Sequence, residues 1–131
     1  MMNNSTFFNW ALVFASALFD SFAAFIVKSR FQKLGPINFS SATDLFNSIW
    51  SIFKDPIMVV AAFCFVSAPA LWFFALNRLD LSVAYPVLVG LHLIMVIVVG
   101  AVFLNEPISL NKAIGTGLVL LSLVFFYSSN R

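Results

Sequence analysis

The chain has 131 residues, 62% of them hydrophobic and 9% charged, with a net charge of +2. An ordinary soluble domain carries roughly 25% charged residues, and a soluble fold of this length cannot hide so much apolar surface, because surface-to-volume scaling leaves a large share exposed. The composition excludes a water-soluble globule and points to a bilayer. The few scattered Lys and Arg residues exclude a nucleic-acid-binding face and read as anchors at the membrane surface.

In chain order, the first apolar run covers residues 7–27. It lacks a basic leader and a small-residue cleavage site, so it is expected to be a retained helix and not a signal peptide. A long connection follows. Gly35-Pro36 marks a turn in it, and Ser41-Ala-Thr-Asp44 reads as a capping box. The box opens a short helix over 42–54 with Leu45, Phe46, Ile49, Trp50, Ile52 and Phe53 on one face. Too short to span, this helix is expected to lie in the interface plane with Trp50 at headgroup depth.

The second run, 57–76, is opened by Pro56 and interrupted by Pro69. The third covers 83–104. The fourth covers 108–127, with Pro107 in its first turn, where a missing N–H does no harm. Each run matches the roughly 20 residues needed to cross about 30 Å of hydrocarbon. Backbone groups in lipid must bond internally, so each should be helical. The predicted fold is all-α: an integral membrane four-transmembrane-helix bundle in a single domain, 1–131, with a short interfacial amphipathic helix between the first two spans. Five Lys/Arg residues (Lys28, Arg30, Lys33, Lys54, Lys112) fall on one side and two (Arg78, Arg131) on the other. By the positive-inside rule both termini face away from the cytoplasm. Cys64, the single cysteine, cannot form an internal disulfide.

Asp20 is the one ionisable side chain between Met1 and Lys28. A charge at that depth costs about 2.5–3.5 kcal/mol on insertion scales, so it marks a cavity, a partner or a substrate path. Ser16, one turn before it, and Ala23 and Ala24, one turn after, extend a small and polar stripe. Asp20 is thus a candidate carboxylate for a proton or a cationic group, against the alternative of a structural bond to a neighbouring helix. In the third run Tyr85, Val89, His92 and Val96 share one helical face, so Tyr85 and His92 can look into the same space as a substrate or proton site. The alternative for His92 is a packing role.

Gly90 and Gly100 frame the middle of the third run, where glycine costs roughly 1 kcal/mol relative to Ala, and imply bending or close approach. In the fourth run Gly115, Gly117 and Ser122 would let another helix pack closely. Glu106 is expected to stabilise the start of the last helix through its dipole. One His and one Asp do not make a metal shell, and no nucleophile–base set or phosphate loop is present. No metal, cofactor or enzyme activity is expected. A four-helix chain has only a thin wall around any aqueous cavity and must take its second half from another copy or a paralogue. The predicted partners are membrane lipid and a second chain, as homodimer or heterodimer.

Leu79-Asp-Leu-Ser-Val-Ala-Tyr-Pro86 followed by Asn105-Glu-Pro107 resembles the drug/metabolite transporter superfamily in its four-helix form. It looks closest to the small EamA-like members that include aminoarabinose-phosphoundecaprenol flippase subunits. The sister group, the small multidrug resistance transporters, is similar in layout. By that resemblance Asp20 and Lys28 match an essential carboxylate and a basic residue eight positions on, and Tyr85 matches a substrate-facing tyrosine. Gly90, with Pro86 nearby, falls at a bend, and Gly115 and Ser122 fall at a dimer contact. Two positions depart from that group: the usual carboxylate is glutamate, and its site tryptophan is Leu88 here. The missing tryptophan and the Tyr85-Pro86 pair favour the flippase-like branch. The resemblance implies a transporter of a lipid-linked sugar or similar amphiphile in a bacterial-type inner membrane; the alternatives are a proton-coupled antiporter of small cations and a non-transporting subunit that stabilises a partner.

Overall fold

The computed structural model describes residues 4–34 and 41–129; the Gly35-Pro36 turn and Arg131 lie outside the described residues. Among them all the regular secondary structure is α-helix: α1 (Asn4–Leu34), α2 (Ala42–Lys54), α3 (Pro56–Leu76), α4 (Leu81–Phe103) and α5 (Leu110–Ser129). Among the described residues, α1, α3 and α4 are each long and apolar enough to cross a membrane, and Leu110–Phe125 of α5 forms a shorter apolar helix.

α1 continues past the apolar run to Leu34, 31 residues in all. At 1.5 Å per residue it is about 46 Å long, so its basic end outruns the hydrocarbon. Lys33 in its last turn also suits the negative end of the helix dipole.

α2 begins at the capping box. Ser41 Oγ accepts the Asp44 N–H at 3.2 Å and donates to Asp44 Oδ2 at 3.0 Å. α2 and α3 meet at Asp55, whose N–H donates to the Ile52 carbonyl while its Oδ1 accepts the Ile57 N–H at 2.9 Å. Pro56 then starts α3, at a position where no N–H is needed. Arg30 of α1 clamps the same carboxylate with two contacts, Nε to Oδ2 at 3.0 Å and Nη2 to Oδ1 at 3.1 Å. This planar two-point pairing fastens the end of α1 to the α2–α3 corner.

α4 ends where the Leu104 and Glu106 N–H groups both turn back onto the Gly100 carbonyl, at 3.2 and 3.0 Å. Asn105 takes the left-handed conformation, φ 51°, that closes this turn. Ser109 then caps α5 by accepting the Lys112 N–H at 3.3 Å. Residues 105–109 are therefore non-helical, and Pro107 precedes α5 instead of sitting in its first turn.

α1 packs on α3 and α4, α2 on α3, and α5 on α4. The α1–α3 seam is made mostly of small residues: Val13, Ser16, Ala17 and Ala23 on α1 and Ala61, Cys64, Ala68 and Ala75 on α3 are all buried. Small side chains let two backbones approach closely, which is how helices gain dispersion contacts in a solvent as apolar as themselves. Ile26, Met58 and Ala61 form a cluster at the Arg30 end, with Phe25, Phe31 and Ile52 against it. Phe63, Phe73 and Phe74 stand outward on α3, as suits a surface wetted by lipid.

Candidate functional site

The site begins with a defect in α3. Pro69 has no N–H for the Phe65 carbonyl, so one rung of the helix ladder is missing there. One residue earlier, the Ala68 carbonyl accepts a second hydrogen bond from Ser16 Oγ, at 2.8 Å and buried. Ser16 thus ties α1 to α3 and spends its hydroxyl on the backbone.

Next to this tie, α1, α3 and α4 line an open-sided cavity of about 560 Å³ bordered by Ser16, Asp20, Trp72, Tyr85 and His92 among others. Asp20, Tyr85, His92 and Ser16 were all legible as candidates, and the fold brings them to one space. His92 Nδ1 lies 3.0 Å from Asp20 Oδ2, with side-chain exposures of 33% and 41%. This contact joins the one carboxylate inside α1's apolar stretch to the one histidine of the chain, and it spans two different helices. Both partners remain partly open to the cavity, so a substrate can reach either.

Trp72 is the feature that sequence reasoning missed. It packs against Tyr85 with ring centroids 6.1 Å apart and planes inclined at 58°, a favoured aromatic geometry. Leu88 stands where the resemblance placed a tryptophan, and it also lines the cavity. The indole comes instead from α3. A signal existed: Phe65, Pro69 and Trp72 fall at spacings of four and three, on one face of α3. The cavity therefore combines a carboxylate, an imidazole and two aromatic walls, a set suited to a cationic or ring-shaped polar group. Asp20 also borders a second, largely apolar hollow of about 380 Å³ that includes Ala24, Val27, Ile52, Ala62 and Phe65.

The EamA-like transporter family matches residues 3–128. The chain belongs to that family. It is an integral membrane protein of the transporter class, with three helices among the described residues long and apolar enough to cross a membrane. Among curated relatives, a protein named "Probable 4-amino-4-deoxy-L-arabinose-phosphoundecaprenol flippase subunit ArnF" from Shewanella sediminis is 44% identical over 85 residues, covering 61% of this chain and 57% of the relative. The protein of the same name from an Enterobacter species is 30% identical over 117 residues, covering 88% of this chain and 89% of the relative. The corresponding subunit named ArnE from Aeromonas salmonicida is 31% identical over 74 residues, covering 56% of this chain and 64% of the relative. No solved structure matches the chain.

The remaining candidates land elsewhere. α4 runs unbroken through Pro86 and Gly90. A Cβ at Gly90 would overlap the side chain of Leu123, so the bare backbone there is the socket in which α5 seats on α4. Gly115 has open space where a side chain would be, and Ser122 is exposed with its hydroxyl turned back to the Val119 carbonyl at 2.7 Å. Neither contributes to the cavity. Glu106 does not cap the last helix. α5 starts four residues later, at Leu110, and Glu106 Oε1 points across α4 to Lys28 Nζ at 3.9 Å. The turn at Asn105 directs Glu106 back over α4 instead.

Proposed function

We propose that this EamA-like chain is a flippase-like translocator of a lipid-linked sugar or similar amphiphile. It works as a dimer with itself or with a paralogue, in an inner membrane, with both termini away from the cytoplasm. In this reading α5 is a fourth span and α2 lies in the interface, with Phe46, Trp50 and Phe53 turned outward. Lys54 Nζ sits 5.7 Å from the Trp50 ring centroid, a pairing suited to headgroup depth.

The observation that carries the proposal is the Asp20–His92 contact inside a cavity walled by Trp72 and Tyr85. A carboxylate embedded this way is retained where a polar group must pass. Asp20 and His92 hold the headgroup, the two aromatic rings flank it, and Ser16 keeps α1 and α3 in register. The apolar hollow on the other side of Asp20 offers the hydrocarbon chain a course beside the headgroup. The relatives named as flippase subunits support the same class of substrate, and the occurrence of two subunit names among them supports a heterodimer.

The test is flux of a fluorescent lipid-linked sugar analogue in vesicles reconstituted with the chain, alone and with a paralogue. Asp20→Asn should abolish it, while unchanged flux would remove Asp20 from the mechanism. The Asp20–His92 contact also favours a second reading, proton-coupled antiport of small cations. That reading requires protons and a small cation to compete for binding. Transport lacking with every partner, beside tight association with a second chain, would instead indicate a non-transporting subunit.

A further inference from the structure

Beyond the Asp20 cavity, the groove between α1 and α4 contains a smaller, mostly apolar pocket of about 220 Å³ whose wall carries Ser21, Lys28 and Glu106 beside Phe25 and Gly100. Val96 borders both spaces and partitions them. Three observations single this pocket out.

The first is Ser21. Its side chain is 4% exposed, and its hydroxyl is the one buried side-chain polar atom among the described residues that lacks a hydrogen-bond partner. An unmet buried hydroxyl is destabilising by itself, so its place on a pocket wall calls for an occupant. The second is how loosely Lys28 is held. Its Nζ lies 3.9 Å from Glu106 Oε1, with both side chains about half exposed (56% and 41%). Arg30 nearby is clamped on Asp55 at 3.0 and 3.1 Å. At the outer limit of ion-pair distance, the ammonium keeps its donors available. The third is Glu106 itself, whose Oε2 would lie 3.2 Å from a Cβ at Gly100. The carboxylate therefore rests on bare backbone and is held by its long contact to Lys28, from which it can swing aside.

We propose that Ser21 and Lys28 form an oxyanion site for a phosphate group, with Glu106 as a displaceable latch that occupies Lys28 while the site is empty. The hydroxyl and the ammonium are donors, which is what a phosphate oxygen needs. Glu106 would repel a bound phosphate, so binding releases it from Lys28. Asp20, one residue from Ser21, does not compete because its Oδ2 faces His92 in the other cavity. The site rests on the translocator reading for its purpose: a headgroup at Asp20 and a phosphate at Lys28 would be two ends of one amphiphile. Lys28 lies eight residues along α1 from Asp20, about 12 Å at the helical rise.

The experiment is phosphorus NMR line broadening on the full chain in a phosphate-free maltoside detergent, titrated with inorganic phosphate and separately with geranyl phosphate. Saturable broadening by both indicates a site for the oxyanion itself, and broadening by geranyl phosphate alone indicates a lipid-phosphate site. Either supports the proposal when Lys28→Gln weakens binding about tenfold, the scale of one charge-assisted hydrogen bond. Lys28→Arg should bind, which controls for folding, and Glu106→Gln should bind more tightly by freeing the ammonium. Binding by neither probe, equal binding in the wild type and Lys28→Gln, or weaker binding in Glu106→Gln overturns the proposal. Asp20→Asn should still bind phosphate while losing flux, so this site and the transport reading fail separately.

Discussion

The α1–α3 seam and the α4–α5 pair draw on the same small residues and use them in opposite ways. Along the seam, Ala17, Ala61, Ala68 and Ala75 are each 3% exposed or less, and the Ser16 hydroxyl bridges to the Ala68 carbonyl. On α5, Gly115 and Gly117 meet nothing, and the helix is seated on α4 through the Leu123 side chain at Gly90. A small residue thus signals closeness only where a second backbone supplies the other half of the contact. One half of the molecule is a finished scaffold. The other presents a helix whose outward face has no neighbour among the described residues.

Four substitutions put this contrast to the test. Ala68→Leu should disturb the seam most, destabilising the chain by about 1–3 kcal/mol as overpacking does, read as a lower unfolding midpoint in detergent. Gly90→Leu would push against Leu123 and should loosen α5 while leaving the seam intact. The expected readout is faster labelling of a cysteine placed at the half-buried Leu120 in that background than in the Leu120→Cys protein with Gly90 retained. Ser16→Ala removes one interhelical hydrogen bond and should cost about 0.6 kcal/mol, the average for such bonds in a membrane. Gly115→Leu should leave the stability of the isolated chain undiminished, since a side chain there meets open space. If a second subunit docks on α5, the same change should abolish association, measured by crosslinking in vesicles. Equal loss of monomer stability in Gly115→Leu and Ala68→Leu would erase the contrast.

The two ion pairs at the Arg30 end repeat the lesson at smaller scale. Arg30 and Lys28 are two residues apart on α1, yet one is locked to Asp55 and the other only leans towards Glu106. Nothing in their sequence neighbourhood separates them. Asp55 is held in place by its own capping bond to the Ile57 N–H, whereas Glu106 sits on a turn whose direction depends on the left-handed Asn105.

What could be read from the residues follows from the energetics of the bilayer. Charge inside hydrocarbon is costly enough that Asp20 and His92 stood out without coordinates, and the capping box at Ser41 announced α2 because its partners lie three residues apart. Trp72 stayed hidden because one aromatic among so many carries no contrast in an apolar helix. Glu106 was misassigned because a helix start inferred from Pro107 falls short of the actual one at Leu110.

By itself, then, the sequence determined the solvent of this protein, its helical class and the few polar groups that matter, since those follow from composition and from contacts within a turn or two of chain. Tertiary structure decided that Asp20 meets His92, that Trp72 faces Tyr85 and that Gly90 receives Leu123. Such meetings depend on the rotation and depth at which helices pack, and a lipid-like alphabet of apolar side chains leaves both almost unmarked.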